Sequence, residues 1–137
     1  MNTVYWINQI MSTMYTNNSA EFWVGLSSTA PARDGSGVAE PTCDDYERAQ
    51  LVGFSEPIDG YVYNKNDVEF VKTVSDWFPS ETKAAYWILF DGKSSDANVL
   101  SSGELEKAKT VESDVRVILS AATLGITLLD YEAASLE

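Results

Sequence analysis

The chain has 137 residues, a length that fits one domain, and 45% of it is apolar, enough for an ordinary core. Its charge is less ordinary: nine Lys and Arg against 21 Asp and Glu leave −12, which argues against nucleic acid or anionic lipid as a partner. The absence of histidine removes imidazole-based triads, zinc sites and proton shuttles, and no apolar run approaches the roughly 20 residues that cross a bilayer.

Residues 1–18 predict a helix. Val4, Ile7, Met11 and Met14 recur at spacings of three and four, with Tyr5 and Ile10 beside them. Thr3 can cap its start and Asn17-Asn18-Ser19 can stop it. Such a broad terminal stripe suits either a face packed on the domain or a helix docked on a neighbouring subunit. In the second case Trp6, Ile7, Met11 and Met14 are the expected contacts. The segment lacks a basic stretch before its apolar residues, so it does not read as a signal peptide, and the lone Cys43 fits a chain made in a reducing bacterial cytoplasm.

After residue 18 the period shortens. Phe22-Trp23-Val24-Gly25-Leu26 predicts a strand that runs into the turn Ser27-Ser28-Thr29-Ala30-Pro31. Ala30 to Thr42, with Pro31, Asp34, Gly35, Gly37 and Pro41, predicts a long surface loop. Strand patterns return at Tyr46–Leu51, at Tyr61-Val62-Tyr63 after the turn Pro57 to Gly60, and at Val68–Val71. Val74 to Lys83 reads as an irregular link anchored by Trp77. Ala84–Phe90 is the most apolar stretch and the expected central strand, turned around by Asp91-Gly92-Lys93. Strands at Asn98–Leu105, Val115–Leu119 and Leu124–Asp130 complete the series. The fold predicted is mainly β, an antiparallel, jelly-roll-like sandwich over 19–135 with one N-terminal α-helix. Leu136-Glu137 resembles the residues a cloning vector leaves before an affinity tag and is set apart from the domain.

Candidate chemistry is sparse. Asp44, Asp45, Asp76 and Asp91 are the carboxylates to weigh for a glycosidase acting on cell-wall sugar, but nothing in their spacing aims two of them at one substrate. Asp91 to Asn98 lacks the alternating ligands of an EF-hand and reads as an Asp-Gly turn. Gly35-Ser36-Gly37 lacks the ending of a phosphate loop. Aromatic residues form 12% of the chain. Trp23 and Trp87 sit in strands as expected core, whereas Tyr61 and Tyr63 share one face and are the candidates for stacking on a sugar. No cofactor, metal or catalytic residue is expected.

The order of these segments is itself informative. Phe22-Trp23-Val24-Gly25-Leu26-Ser27-Ser28-Thr29-Ala30-Pro31 resembles the opening hLGLSTxAP of a small bacteriophage and prophage family of tail-fibre or virion-associated proteins. The resemblance continues through Asp34–Pro41, through Tyr46-Glu47-Arg48-Ala49, which is similar to that family's GYAR, and through Val68-Glu69-Phe70. Tyr86–Asp91 is similar to its hxGIFD element, Asn98–Leu105 to its GNLLxxGxL element, and Leu124–Leu128 to its closing strand. Trp87 and Leu89 stand near the place where the family prefers glycine, and Val99 replaces a leucine; both departures bear on packing. The resemblance implies a non-enzymatic virion component that works through contacts with copies of itself and other virion proteins. The alternative is a carbohydrate-binding module for host surface glycans, using Tyr61 and Tyr63.

Overall fold

The structure is a computed structural model that describes residues 3–79 and 81–128. Helix α1 (Val4–Met11) continues into one π turn (Ser12–Thr16). Eight strands follow among the described residues: β1 (Phe22–Ser27), β2 (Ala49–Leu51), β3 (Tyr61–Tyr63), β4 (Val68–Glu69), β5 (Ala84–Phe90), β6 (Val99–Lys109), β7 (Ile118–Leu119) and β8 (Gly125–Thr127). Among the described residues the fold is mainly antiparallel β with a single N-terminal helix, as predicted. Several boundaries differ: β4 and β7 are shorter than the patterns at Val68–Val71 and Val115–Leu119 predict, and β8 starts at Gly125 and not at Leu124. Strand β2 starts at Ala49 and not at Tyr46, because Tyr46 and Arg48 turn their side chains into a network with the preceding loop. Strand β6 runs beyond Leu105 to Lys109. The predicted strand positions Leu129 and Asp130, with Met1, Asn2 and the segment through Leu136-Glu137, lie outside the described residues.

One four-stranded sheet, in the order β2-β1-β5-β6, forms the frame. Val24 faces Leu89 and Leu26 faces Trp87 across the β1–β5 pair, so these four share one face. The other face carries Trp23 opposite Phe90 and Gly25 opposite Ile88. Both β1 and β5 are buried almost throughout, which explains why β5 is written as a continuous apolar run without alternation.

Two two-stranded ribbons, β3–β8 and β4–β7, complete the β structure. Val62 and Ile126 from one, Val68 and Leu119 from the other, and Ile7 and Met11 from α1 join Val24, Leu26, Trp87 and Leu89 in one buried cluster. The helix and ribbons therefore close the inner face of the sheet in a sandwich-like layering. Strand β3 is entered through a two-residue turn at Asp59-Gly60, both with positive φ (53° and 86°), closed by reciprocal main-chain bonds between Ile58 and Tyr61 of 2.9 and 3.0 Å. Asp-Gly suits this mirror-image turn because its twist matches that of the flanking strands.

Candidate functional site

Helix α1 starts where Thr3 Oγ1 accepts the Trp6 N–H at 3.2 Å. Its last turn widens, with the Asn17 N–H reaching back five residues to the Ser12 carbonyl at 2.8 Å. Two side chains bind it to the segment that leads into β3. Asn8 Oδ1 accepts the Gly60 N–H at 2.7 Å, and Thr16 Oγ1 donates to the Ser55 carbonyl at 2.6 Å. Ile7 and Met11 have no exposed surface, and Tyr15 extends their line, its ring 5.0 Å from that of Phe54 and 5.9 Å from that of Phe22. Burial pushes the Tyr15 hydroxyl pKa up.

The four helix residues expected at a partner contact are thus divided. Ile7 and Met11 are committed to the domain's own core, where they join Val62 and Phe54 in one buried cluster. Trp6 and Met14 remain 55% and 46% exposed. Trp6, Ile10 and Met14 follow one another at intervals of four and form a second apolar line beside the buried one. Tyr5 and Val4 add 71% and 44% exposed surface next to it.

Tyr61 and Tyr63 point outward from β3, as their shared face requires, while Val62 between them is fully buried. Their rings run nearly parallel, 13° apart in angle, with centroids separated by 6.0 Å. The Tyr63 ring also lies over Gly125 of β8, where a Cβ would come within 2.9 Å of it. One face of that ring is therefore covered by the neighbouring strand.

Of the carboxylates weighed for catalysis, Asp44 is exposed, and Asp45, Asp76 and Asp91 are tied to nearby loops. Asp45 accepts from the Val74 N–H (2.7 Å), the Ser75 N–H and hydroxyl, and Trp77 Nε1 (2.9 Å). The Ser75 hydroxyl first, then the Val74 N–H and the Trp77 indole, hold its carboxyl well below the usual carboxylate range. Asp76 accepts the Ser113 N–H at 2.8 Å. Asp91 holds both the backbone and the side-chain amide of Asn98, which lowers its pKa and closes the β5–β6 turn. Among the described residues no group of three or more acids or cysteines is gathered as a metal site.

The outer face of the sheet holds a cluster that draws together Glu40, from the Asp34–Pro41 motif, and Tyr46 and Arg48, from the Tyr46–Ala49 motif. The Arg48 guanidinium lies 3.5 Å from the centroid of the Phe90 ring and grips Glu40 with two bonds, Nε to Oε2 at 3.0 Å and Nη2 to Oε1 at 2.7 Å. Its Nη1 donates to the carbonyls of Gly92 (3.1 Å) and Ser94 (2.8 Å). Tyr46 Oη donates to the same Glu40 carboxylate at 2.5 Å and accepts the Leu26 N–H at 3.2 Å. Burial, reinforced by the Glu40 charge, pushes the Tyr46 hydroxyl pKa far up. Gly25 is required beneath this cluster, since a Cβ there would stand 2.6 Å from Glu40 Oε2 and 2.9 Å from the Tyr46 hydroxyl. Every polar atom is paired inside the molecule, so the cluster is a clasp and not a receptor. The sequence showed its residues only as parts of two motifs, with nothing to pair Glu40 with Arg48.

No helix among the described residues is long and apolar enough to cross a membrane. A family model described as Podophage GP4 fiber I protein gp80 matches residues 3–127. No curated relative matches the chain.

Proposed function

Because the chain belongs to the Podophage GP4 fiber I protein gp80 family, we propose that this structural component of a phage virion is built into its fibre through the exposed apolar line of α1. The observation that carries the reading is the division of the helix into a line wholly spent on the core and a second line, Trp6 and Met14, left in solvent. A terminal helix has no need of two apolar lines unless something covers the second. Tryptophan is also among the residues that most often dominate an interface. The helix is held by Thr16 and Asn8 to the segment that leads into β3, so the line is presented on a fixed support and binding costs little ordering. Copies of the chain or neighbouring virion proteins are the partners, and no chemistry is performed.

The test separates the two lines. Trp6→Asp with Met14→Asp should leave thermal unfolding close to wild type, since neither side chain is in the core. Quantitative mass spectrometry of assembled particles should then show the variant missing where the wild-type chain is present at a fixed copy number. Normal incorporation of the double variant would sink the reading. Ile7→Asp, by contrast, should fail to fold, because it places an unpaired charge at a fully buried position.

A further inference from the structure

Six of the eight strands among the described residues are hydrogen-bonded on one side alone, and two of them, β6 and β7, flank a common gap. Strand β6 is an outer strand of the four-stranded sheet, and β7 pairs only with β4. Between the second half of β6 and β7 runs an open slot of about 380 Å³, bordered by Leu105, Lys107 and Ile118. Past Lys109 and Ile118 it continues into a second hollow of about 500 Å³ beside Val115 and Arg116. The main chain of β7 and its approach spends one edge on β4, with the Phe70 N–H donating to the Val117 carbonyl at 3.0 Å and the Thr73 N–H to that of Val115 at 2.8 Å. Successive residues of an antiparallel strand turn their polar groups to opposite edges, so Arg116 and Ile118 turn theirs away from β4.

The charge of the slot opposes that of the molecule. Lys107, Lys109 and Arg116 border it against a single acid, Glu106, on a chain of net −12. Arg116 makes one long pair with Glu69, 3.9 Å, both side chains about half exposed, and neither lysine has an ion-pair partner among the described residues. Ile118 and Val115 add 45% and 41% exposed apolar surface. Lysine on an edge strand repels the same edge of a second copy. It attracts a strand of opposite sign.

We propose that this slot receives an extended acidic segment of a partner protein, which adds as a strand beside β7 and sets its carboxylates against Lys107, Lys109 and Arg116. This is strand addition, in which main-chain bonds supply affinity and alternate side chains supply selectivity. It rests on the fibre reading only for the source of the segment, a neighbouring virion protein.

The probe is a blocked decapeptide of alternating Glu and Val, titrated into the intact chain and followed by amide chemical shifts and fluorescence anisotropy. Saturable binding is expected, with the largest shifts in 105–110 and 115–120. Lys107→Glu with Lys109→Glu, both fully outside the core, should weaken it at least tenfold, and an alternating Lys–Val peptide should not bind. Methylating alternate peptide nitrogens should also cost at least tenfold, a loss that charge attraction alone would not produce. No binding, shifts mapped elsewhere, or an unaffected N-methylated peptide would each overturn the proposal. So would self-association that the lysine variants abolish and the peptide leaves intact, since the occupant would then be a second copy. The Trp6→Asp, Met14→Asp chain should bind the peptide as the wild type does, so failure of the helix reading and failure of the slot are seen separately.

Discussion

Arg48 joins three parts of the chain with one guanidinium: the loop residue Glu40, the β5–β6 turn through Gly92 and Ser94, and the sheet through Phe90. Its side chain is 8% exposed and that of Glu40 is 18% exposed, so the pair belongs with buried ion pairs, where removing one partner strands the other. Arg48→Met should therefore cost about 3–5 kcal/mol in denaturant unfolding, while pairing it with Glu40→Gln should recover part of that loss. An additive double variant would mean that the two side chains do not act together. Asp45 makes a different kind of demand. Its carboxyl is held below the ordinary range in the folded state, so its contribution is present above the unfolded value of about 4 and drains away as pH falls below it. Asp34 and Asp91 are lowered as well and add to the same acid limb. Trp77 is a direct reporter, since its indole donates to Asp45. Acid unfolding followed by tryptophan fluorescence should be shallower for Asp45→Asn than for the wild type, with a lower starting stability at neutral pH; an unchanged acid limb would show that Asp45 does not drive it.

At the scale of the element, the helix was legible because Val4, Ile7 and Met11 keep a helical period and Thr3 offers a cap. The identity of its buried line was only half legible. An α-helix continued through residue 14 brings Met14 round toward Ile7 and Met11, but the π turn at Ser12–Thr16 takes five residues for its bond and moves Tyr15 into that place. Nothing local in Ser-Thr-Met-Tyr-Thr announces such a turn; tertiary packing of Tyr15 on Phe22 and Phe54 selects it. Strands β1, β3 and β5 were readable for the opposite reason, since aromatic and branched residues bounded by turn residues leave few alternatives. Strand β2 was overdrawn because Tyr46 and Arg48 mimic an alternating strand while serving a clasp whose partner, Glu40, lies in the loop. The slot beside β6 was invisible in the sequence, because a gap between strands distant in the chain has no period. Only the closeness of Lys107 to Lys109 in an acidic chain hinted at it.

For the whole molecule, the net charge of −12 sets how copies and partners meet. Copies that meet as proposed through the apolar line of α1 would carry like charge, and their repulsion would be screened over about 10 Å at 0.1 M salt. Association through Trp6 and Met14 should therefore strengthen between 50 and 300 mM salt, in light scattering at fixed protein concentration. Binding of the acidic peptide beside β7 should weaken over the same range, because there the charges attract. If both respond in the same direction, one of the two surfaces has been assigned the wrong physics.

The pairing of β3 with β8 has a consequence in time. Thr127 Oγ1 reaches the Gly60 carbonyl at 2.8 Å across 67 positions of the chain, and Val62 meets Ile126 in the same ribbon. At about 5–20 residues per second, a ribosome that has finished β3 needs on the order of 3–13 s more to supply its mate. During that interval the Tyr61–Tyr63 edge is an unsealed template, and the helix that rests on it through Asn8 has an incomplete seat. The seat of the helix is therefore completed only once β8 has emerged, which places the closing of this ribbon late in the order of synthesis.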